Sequence, residues 1–175
     1  MDDPTKEKME RLWAPWRIEY IRAPKDDNGC VLCNADEGDE NDEDTLVVHR
    51  GDCNFIIMNR YPYSPGHLMV APYLHTADLA DLSGAAGAEH LEFIRLGVEL
   101  LGEATRADGF NIGLNLGRIA GAGLDKHLHT HIVPRWQGDS NFMPVLGNTR
   151  VMSEGLTSMF SKLRAALEQR IGDGR

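Results

Sequence analysis

Basic charge is scarce in this chain, and so are cysteine and long apolar runs. Lys and Arg number 18 against 27 Asp and Glu in 175 residues, a formal net charge of -9. That excess repels a polyphosphate backbone at long range and excludes general nucleic-acid binding as the expected role. It does not exclude a small phosphate ligand, because backbone N–H groups and imidazoles act at short range. No apolar run is long enough to span a bilayer, so no membrane contact is expected. The opening Met1-Asp2-Asp3-Pro4 is acidic where a secretory leader is basic and then apolar. The expected location is the cytoplasm. Three cysteines, an odd count, argue against a disulfide framework there.

What is present reads as a globular domain. Hydrophobic residues make up 42% and charged residues 26%, enough apolar surface for one real core. The expected organisation is an N-terminal arm over 1–29, a domain over 30–150 and a C-terminal helix over 151–175 packing on that domain. Much of the acid is concentrated at about 35–44, Asp36-Glu37-Gly38-Asp39-Glu40-Asn41-Asp42-Glu43-Asp44, which reads as a solvated loop. The arm carries Leu12-Trp13-Ala14-Pro15-Trp16-Arg17-Ile18-Glu19-Tyr20-Ile21. Aromatics of this size need covering, either by the chain's own domain or by a partner subunit.

Strand signals cover Thr45 to His49, Asn54 to Asn59, His67 to Ala71, Phe110 to Leu116 and His127 to Pro134. Ser83 suits a helix N-cap, and Leu91, Ile94, Val98 and Leu101 follow at helical spacing toward Gly109. A second amphipathic helix carries Leu156, Met159, Phe160, Leu163, Leu167 and Ile171. The sum is an α+β fold: a five-stranded, mainly antiparallel sheet, one long central helix and one terminal helix.

His127, His129 and His131 alternate with Leu128, Thr130 and Ile132. On a strand this spacing puts three imidazoles on one face, roughly 6.5 Å apart. Packing does not call for that, so chemistry does. One reading is a metal site made of the three histidines. The other is nucleophilic catalysis: a neutral imidazole attacks phosphorus and forms a covalent phosphoramidate, splitting one displacement into two. Flanking histidines then hold phosphate oxygens and protonate the leaving group.

Two segments carry a resemblance. Asn59-Arg60-Tyr61-Pro62-Tyr63-Ser64-Pro65-Gly66-His67-Leu68-Met69-Val70 and His127-Leu128-His129-Thr130-His131-Ile132-Val133-Pro134-Arg135 together resemble the histidine triad family, from about Cys30 to Arg135. Leu12 to Tyr20 and Trp136-Gln137-Gly138-Asp139-Ser140-Asn141-Phe142 look like a narrower branch that includes bacterial diadenosine tetraphosphate phosphorylases. The resemblance implies His129 as the nucleophile that carries a nucleotidyl group, with His131 on the phosphate and leaving group and His67 as an auxiliary histidine. It implies nucleotide contacts from Asn59, Asn115, Trp136 and the loop holding Ala122 and Gly123. It also implies a homodimer or higher homo-oligomer. There is one departure. Many members carry Gly followed by Gln or Ser where this chain has Ala122 and Gly123. Backbone N–H groups must then hold more of the phosphate, and the acceptor, water or phosphate, stays open.

Cys30-x-x-Cys33 suits a metal or a redox pair, but a redox pair opens a helix in a βαβ setting, which the pattern lacks. Several family members bind structural zinc through such a pair, a histidine after the third strand and the first triad histidine. By that resemblance the ligands are Cys30, Cys33, His75 and His127, a set suited to closed tetrahedral zinc. Cys53 reads as a buried thiol, and His49 and His90 as ordinary residues. The leading expectation is an enzyme that cleaves a phosphoanhydride or phosphoramidate bond to a nucleoside monophosphate, adenylate first, with dinucleoside polyphosphates as substrates. Its rivals are a nucleotide-binding regulatory protein with little turnover and a metal-dependent hydrolase that uses the histidines as ligands.

Overall fold

The computed structural model describes residues 29–36, 44–139 and 154–174. The aromatic arm, all of the acidic run except Asp36 and Asp44, and the stretch from Ser140 to Phe142 lie outside the described residues. In chain order the elements are α1 (Val31–Asp36), β1 (Val47–Arg50), β2 (Asn54–Met58), β3 (Leu68–Pro72), α2 (Gly84–Thr105), β4 (Gly109–Leu114), β5 (Thr130–Arg135) and α3 (Leu156–Gly172). Short 3₁₀ turns occur at Leu79–Asp81 and Arg118–Ala120. The sheet runs β1-β2-β3-β5-β4, and every neighbouring pair is antiparallel. The expected α+β architecture is what the chain forms.

β2 and β3 are buried along their whole length, which is why they read as near-continuous apolar runs. β5 lies between β3 and β4, paired from Val70↔Thr130 to Leu68↔Ile132 on one side and from Leu114↔Thr130 to Gly109↔Arg135 on the other. Successive side chains on β5 point to opposite faces. A Cβ built on Gly97 of α2 would sit 2.7 Å from Ile132 Cδ1 and 3.7 Å from Leu68 Cδ1, so Ile132 faces that helix. Thr130 shares the Ile132 face, and His131 takes the opposite one.

That close approach also shifts the buried face of α2 from the expected stripe. The buried face of α2 is His90, Phe93, Gly97, Leu100 and Leu101, whereas Leu91 of the expected stripe is 60% exposed. Gly97 carries no hydrophobicity, so pattern reading centred the stripe one position late. The helix also stops sooner than Gly109, at Thr105, because Arg106 turns left-handed at φ 51°. Ser83 does stand at the N-cap, although its side chain makes no capping bond. Helix α3 buries Met159, Phe160, Leu163, Ala166 and Leu167, but Ile171 in its last turn is exposed. Arg170 ties α3 to Glu99 and Glu103 of α2, and Arg164 donates to the Val48 carbonyl of β1.

The histidine run also departs from the expected strand. Strand β5 begins at Thr130, so His127 and His129 precede it and only His131 is a strand residue. The backbone before Thr130 is spent elsewhere: Leu128 N–H bonds the Thr76 carbonyl at 2.6 Å. Without the pleat the three rings part into two groups. Cys53 is half-buried, not fully enclosed as expected.

Candidate active site and metal centre

The first group gathers on the face of β5 away from α2. His67 enters through a turn at Gly66, whose φ of +82° favours glycine and where a Cβ would come within 2.8 Å of Leu101. Ser64 pins this turn to β5 through the Pro134 carbonyl. Tyr63 stacks on the His67 ring at 4.8 Å and donates its N–H to His67 Nδ1 at 3.1 Å. The Asn59 amide nitrogen lies 3.3 Å from the same atom, while Asn59 Oδ1 accepts from Tyr61 N–H.

These contacts fix a tautomer. Accepting at Nδ1, a neutral His67 carries its proton on Nε2, 2.9 Å from His131 Nδ1. His131 then accepts at Nδ1 and holds its own proton on Nε2, on the side of Asn115 just past the end of β4. The Asn115 amide lies 3.4 Å from that nitrogen. The polarity of the relay assigns the Asn115 carboxamide oxygen to the facing end.

His129 stands beside this pair, its ring 4.8 Å from His131 and nearly perpendicular to it. It is 6% exposed. Its Nδ1–H donates to the His127 carbonyl at 2.8 Å. Nε2 is left with its lone pair, the form a nucleophile needs. Burial pushes its pKa below the usual imidazole range, opposed by the bond to His127 and reinforced by the His127 charge.

The remaining nucleotide candidates are placed as follows. Ala122 is buried and its N–H is taken by the Gly117 carbonyl at 3.3 Å, so of the Ala122–Gly123 pair Gly123 is the better placed to offer a backbone donor. Trp136 lies past the far end of β5, with its indole N–H on the Thr105 carbonyl at 3.2 Å, and is not brought to the imidazoles. A cleft of about 450 Å³ opens between the Arg60–Gly66 loop and the start of α3, but His67, His129 and His131 do not line it.

The second group is Cys30, Cys33, His75 and His127, whose donor atoms all lie within 4.8 Å of one another. Cys30 Sγ is 3.3 Å from His127 Nδ1, and Cys33 Sγ is 3.2 Å from His75 Nδ1 and 3.5 Å from His127 Nδ1. Donors held about 2.0–2.3 Å from a tetrahedral ion stand at such separations. His127 Nε2 donates to the Pro72 carbonyl at 2.8 Å, which turns the Nδ1 lone pair toward the thiols, as a ligating histidine requires. Burial pushes the Cys30 thiol up, yet bonds from His127 and the Cys33 and Leu32 backbone outweigh it and lower its pKa to about 6. For His127 burial lowers the pKa, and the Cys30 bond and the Pro72 carbonyl more than reverse that. The residues therefore fit zinc. Among the described residues this is the one group of three or more such side chains that could hold a metal, so a metal shared by His127, His129 and His131 has no support.

A buried network behind β5 escaped the sequence. His90, read as ordinary, is 5% exposed and bonds Asn54 and Thr130. Its signal was position: it sits three residues before Phe93 and seven before Gly97, on the buried face.

A sheet of this order, with paired histidines on one face of β5 and a Cys₂His₂ cluster beside it, defines a class, and the sequence comparison names it. Residues 40–138 match the HIT domain, and the chain belongs to that family. The chain is 41% identical over 155 residues to the AP-4-A phosphorylase of Mycobacterium tuberculosis (strain ATCC 25618 / H37Rv), an alignment covering 85% of this chain and 80% of the relative. A hypothetical histidine triad nucleotide-binding protein from Sulfolobus tokodaii strain7 superposes with a TM-score of 0.63 at 27% identity, covering 82% of this chain and 97% of that one. A Zn-bound histidine triad family protein from Mycobacterium smegmatis superposes at 0.59, also 27% identical, covering 84% and 98%. The expectation of a HIT-family enzyme agrees with these relatives.

Proposed function

We propose that the chain cleaves dinucleoside polyphosphates, diadenosine tetraphosphate first, through a covalent nucleotidyl-His129. The observation that carries this is the 2.8 Å bond from His129 Nδ1–H to the His127 carbonyl, which leaves Nε2 as a buried, neutral lone pair beside His131. The 41% identity to an AP-4-A phosphorylase supports the substrate class.

In the first step His129 Nε2 attacks the terminal-nucleoside phosphorus. A P–N bond forms and the P–O bond to the remaining polyphosphate breaks. His131 Nε2–H, backed by His67, is oriented to donate to the departing oxygen or to a phosphate oxygen. In the second step water or inorganic phosphate attacks the same phosphorus and releases His129. Asn59, Asn115 and Gly123 are proposed nucleotide and phosphate contacts, whereas Trp136 is held by the Thr105 carbonyl. When bound to Cys30, Cys33, His75 and His127, zinc would supply structural cross-linking. The Zn-bound relative supports that reading. A homodimer in the cytoplasm completes the proposal. No described helix is long and apolar enough to cross a membrane.

Product analysis tests it. Purified protein with diadenosine tetraphosphate should release ATP and, if phosphate is the acceptor, ADP only when phosphate is present. Release of AMP without phosphate identifies water as the acceptor. His129→Ala should nearly abolish both while still binding nucleotide. Full turnover by a folded His129→Ala protein would remove the covalent route.

A further inference from the structure

The buried polar network behind β5 has no part in the chemistry above, yet it ends on the residue between the two reacting histidines. It begins at Glu89 of α2. That carboxylate accepts from Asp52 N–H at 2.7 Å, from Cys53 N–H at 2.8 Å and from Asn54 Nδ2 at 2.8 Å. Asn54 Nδ2 also donates to the Ala86 carbonyl at 3.0 Å. Both amide hydrogens are thereby spent, so Asn54 Oδ1 must be the atom that meets His90 Nδ1 at 2.9 Å. His90 Nδ1 then carries the proton and Nε2 is bare. Thr130 Oγ1, 2.7 Å away, can only donate. Every hydrogen from Glu89 to Thr130 has one assignment. The inner members are sealed from water: Asn54 is 0%, Thr130 1% and His90 5% exposed.

Thr130 is where β5 begins, paired to Val70 and Leu114. One peptide bond before it stands His129, outside the ladder and held from its own side by the His127 carbonyl. One peptide bond after it stands His131. A hydroxyl locked from the α2 side therefore fixes the backbone on which both imidazoles are carried, and it does so from the face opposite to substrate.

We infer that His90 and Thr130 are positioning residues for the histidine nucleophile, with the Thr130 hydroxyl setting the alignment of His129 against His131. This rests on the covalent reading proposed above. Neither residue touches substrate, so their loss should act on the chemical step and not on affinity. A displacement of an ångström or less at a reacting atom is enough to slow an enzyme by an order of magnitude or more.

Thr130→Val and Thr130→Ser separate the hydroxyl from the shape. Val keeps the volume and loses the donor; Ser keeps the donor and loses a methyl. With diadenosine tetraphosphate as substrate, at a temperature well below each variant's melting midpoint, Thr130→Val should lower kcat roughly tenfold with KM nearly unchanged. Thr130→Ser should retain most of kcat. A purely structural role predicts a lower melting midpoint with kcat and KM unchanged, because Val leaves the buried His90 Nε2 without its donor. From the helix side, His90→Gln, which keeps an acceptor for Thr130, should outperform His90→Leu in kcat, and this pair decides the matter if Thr130→Val does not fold. His129→Ala is the control for the underlying reading: if it is active, that reading has failed. If it is dead while Thr130→Val runs at the wild-type rate, or while Val and Ser are slowed alike, the positioning role is wrong and the covalent reading stands.

Discussion

His90 illustrates how one buried base ties stability to pH. Burial in the Asn54–Thr130 network lowers its pKa from 6.5 to about 4. Above pH 6.5 the ring is neutral whether the chain is folded or not, and stability keeps its full value. As pH falls from 6.5 toward 4 the unfolded chain takes up a proton that the folded one refuses, so stability declines. Below about 4 the folded ring also protonates and this loss levels off. Its size is on the order of 3 kcal/mol, at about 1.4 kcal/mol per pH unit. Glu89, held below its ordinary value by Asn54 and the Asp52 and Cys53 N–H groups against the cost of burial, adds a further loss in the acid range. Urea midpoints between pH 4 and 7 should show the decline for wild type and a flatter profile for His90→Gln. Parallel profiles for the two proteins would remove His90 as the cause. His67, His129 and His131 were legible from the sequence because local motifs carry them. His90 was not, because its partners Asn54 and Thr130 lie 36 and 40 positions away and only folding brings them together.

At the scale of elements, the Cys₂His₂ cluster joins three pieces of chain that share no regular hydrogen-bond ladder. Cys30 and Cys33 come from the edge and first turn of α1, His75 follows β3, and His127 precedes β5. Helix α1 has only six residues, too short to hold itself together. Leu32 and Ala35 pack it into the core, and the Arg50 side chain donates to the Ala35 carbonyl. A zinc ion would clip all three pieces at once. Purified protein should then carry about one zinc per chain, and chelation should lower its melting midpoint, because binding to a preformed site is linked to folding. Cys33→Ser should lose the metal and start from the lower midpoint. Protein that is free of metal and melts at the same temperature with and without chelator would overturn the zinc reading. The Cys30-x-x-Cys33 pair was readable as a spacing and His75 and His127 came from the family resemblance, but the short helix was not legible. Six residues hold too few turns to display a period, and the start of β5 was misjudged for a related reason: alternation continues through His127 and Leu128 although the ladder does not.

The whole sheet treats its two edges differently. Strand β1 is short, carries a register shift between Val47 and His49, and has its Val48 carbonyl occupied by Arg164 of α3. These features blunt an edge against other strands. Strand β4 has six residues and, among the described residues, pairs only with β5, and its Ile112 and Leu114 are 48% and 37% exposed. Exposed apolar side chains on a ladder with one unpaired side invite a second strand, and in a homo-oligomer the natural partner is the same strand across a two-fold axis. The expected assembly is therefore a dimer closed through β4. Sedimentation at micromolar concentration should give twice the chain mass of 19.4 kDa. Ile112→Asp puts a charge on the exposed face of that strand without touching the core, and it should shift the equilibrium to monomer while leaving the melting of the separated chain cooperative. A wild-type monomer at that concentration defeats the dimer outright. A wild-type dimer that Ile112→Asp leaves intact would move the interface elsewhere and leave β4 as an open edge in the assembled protein.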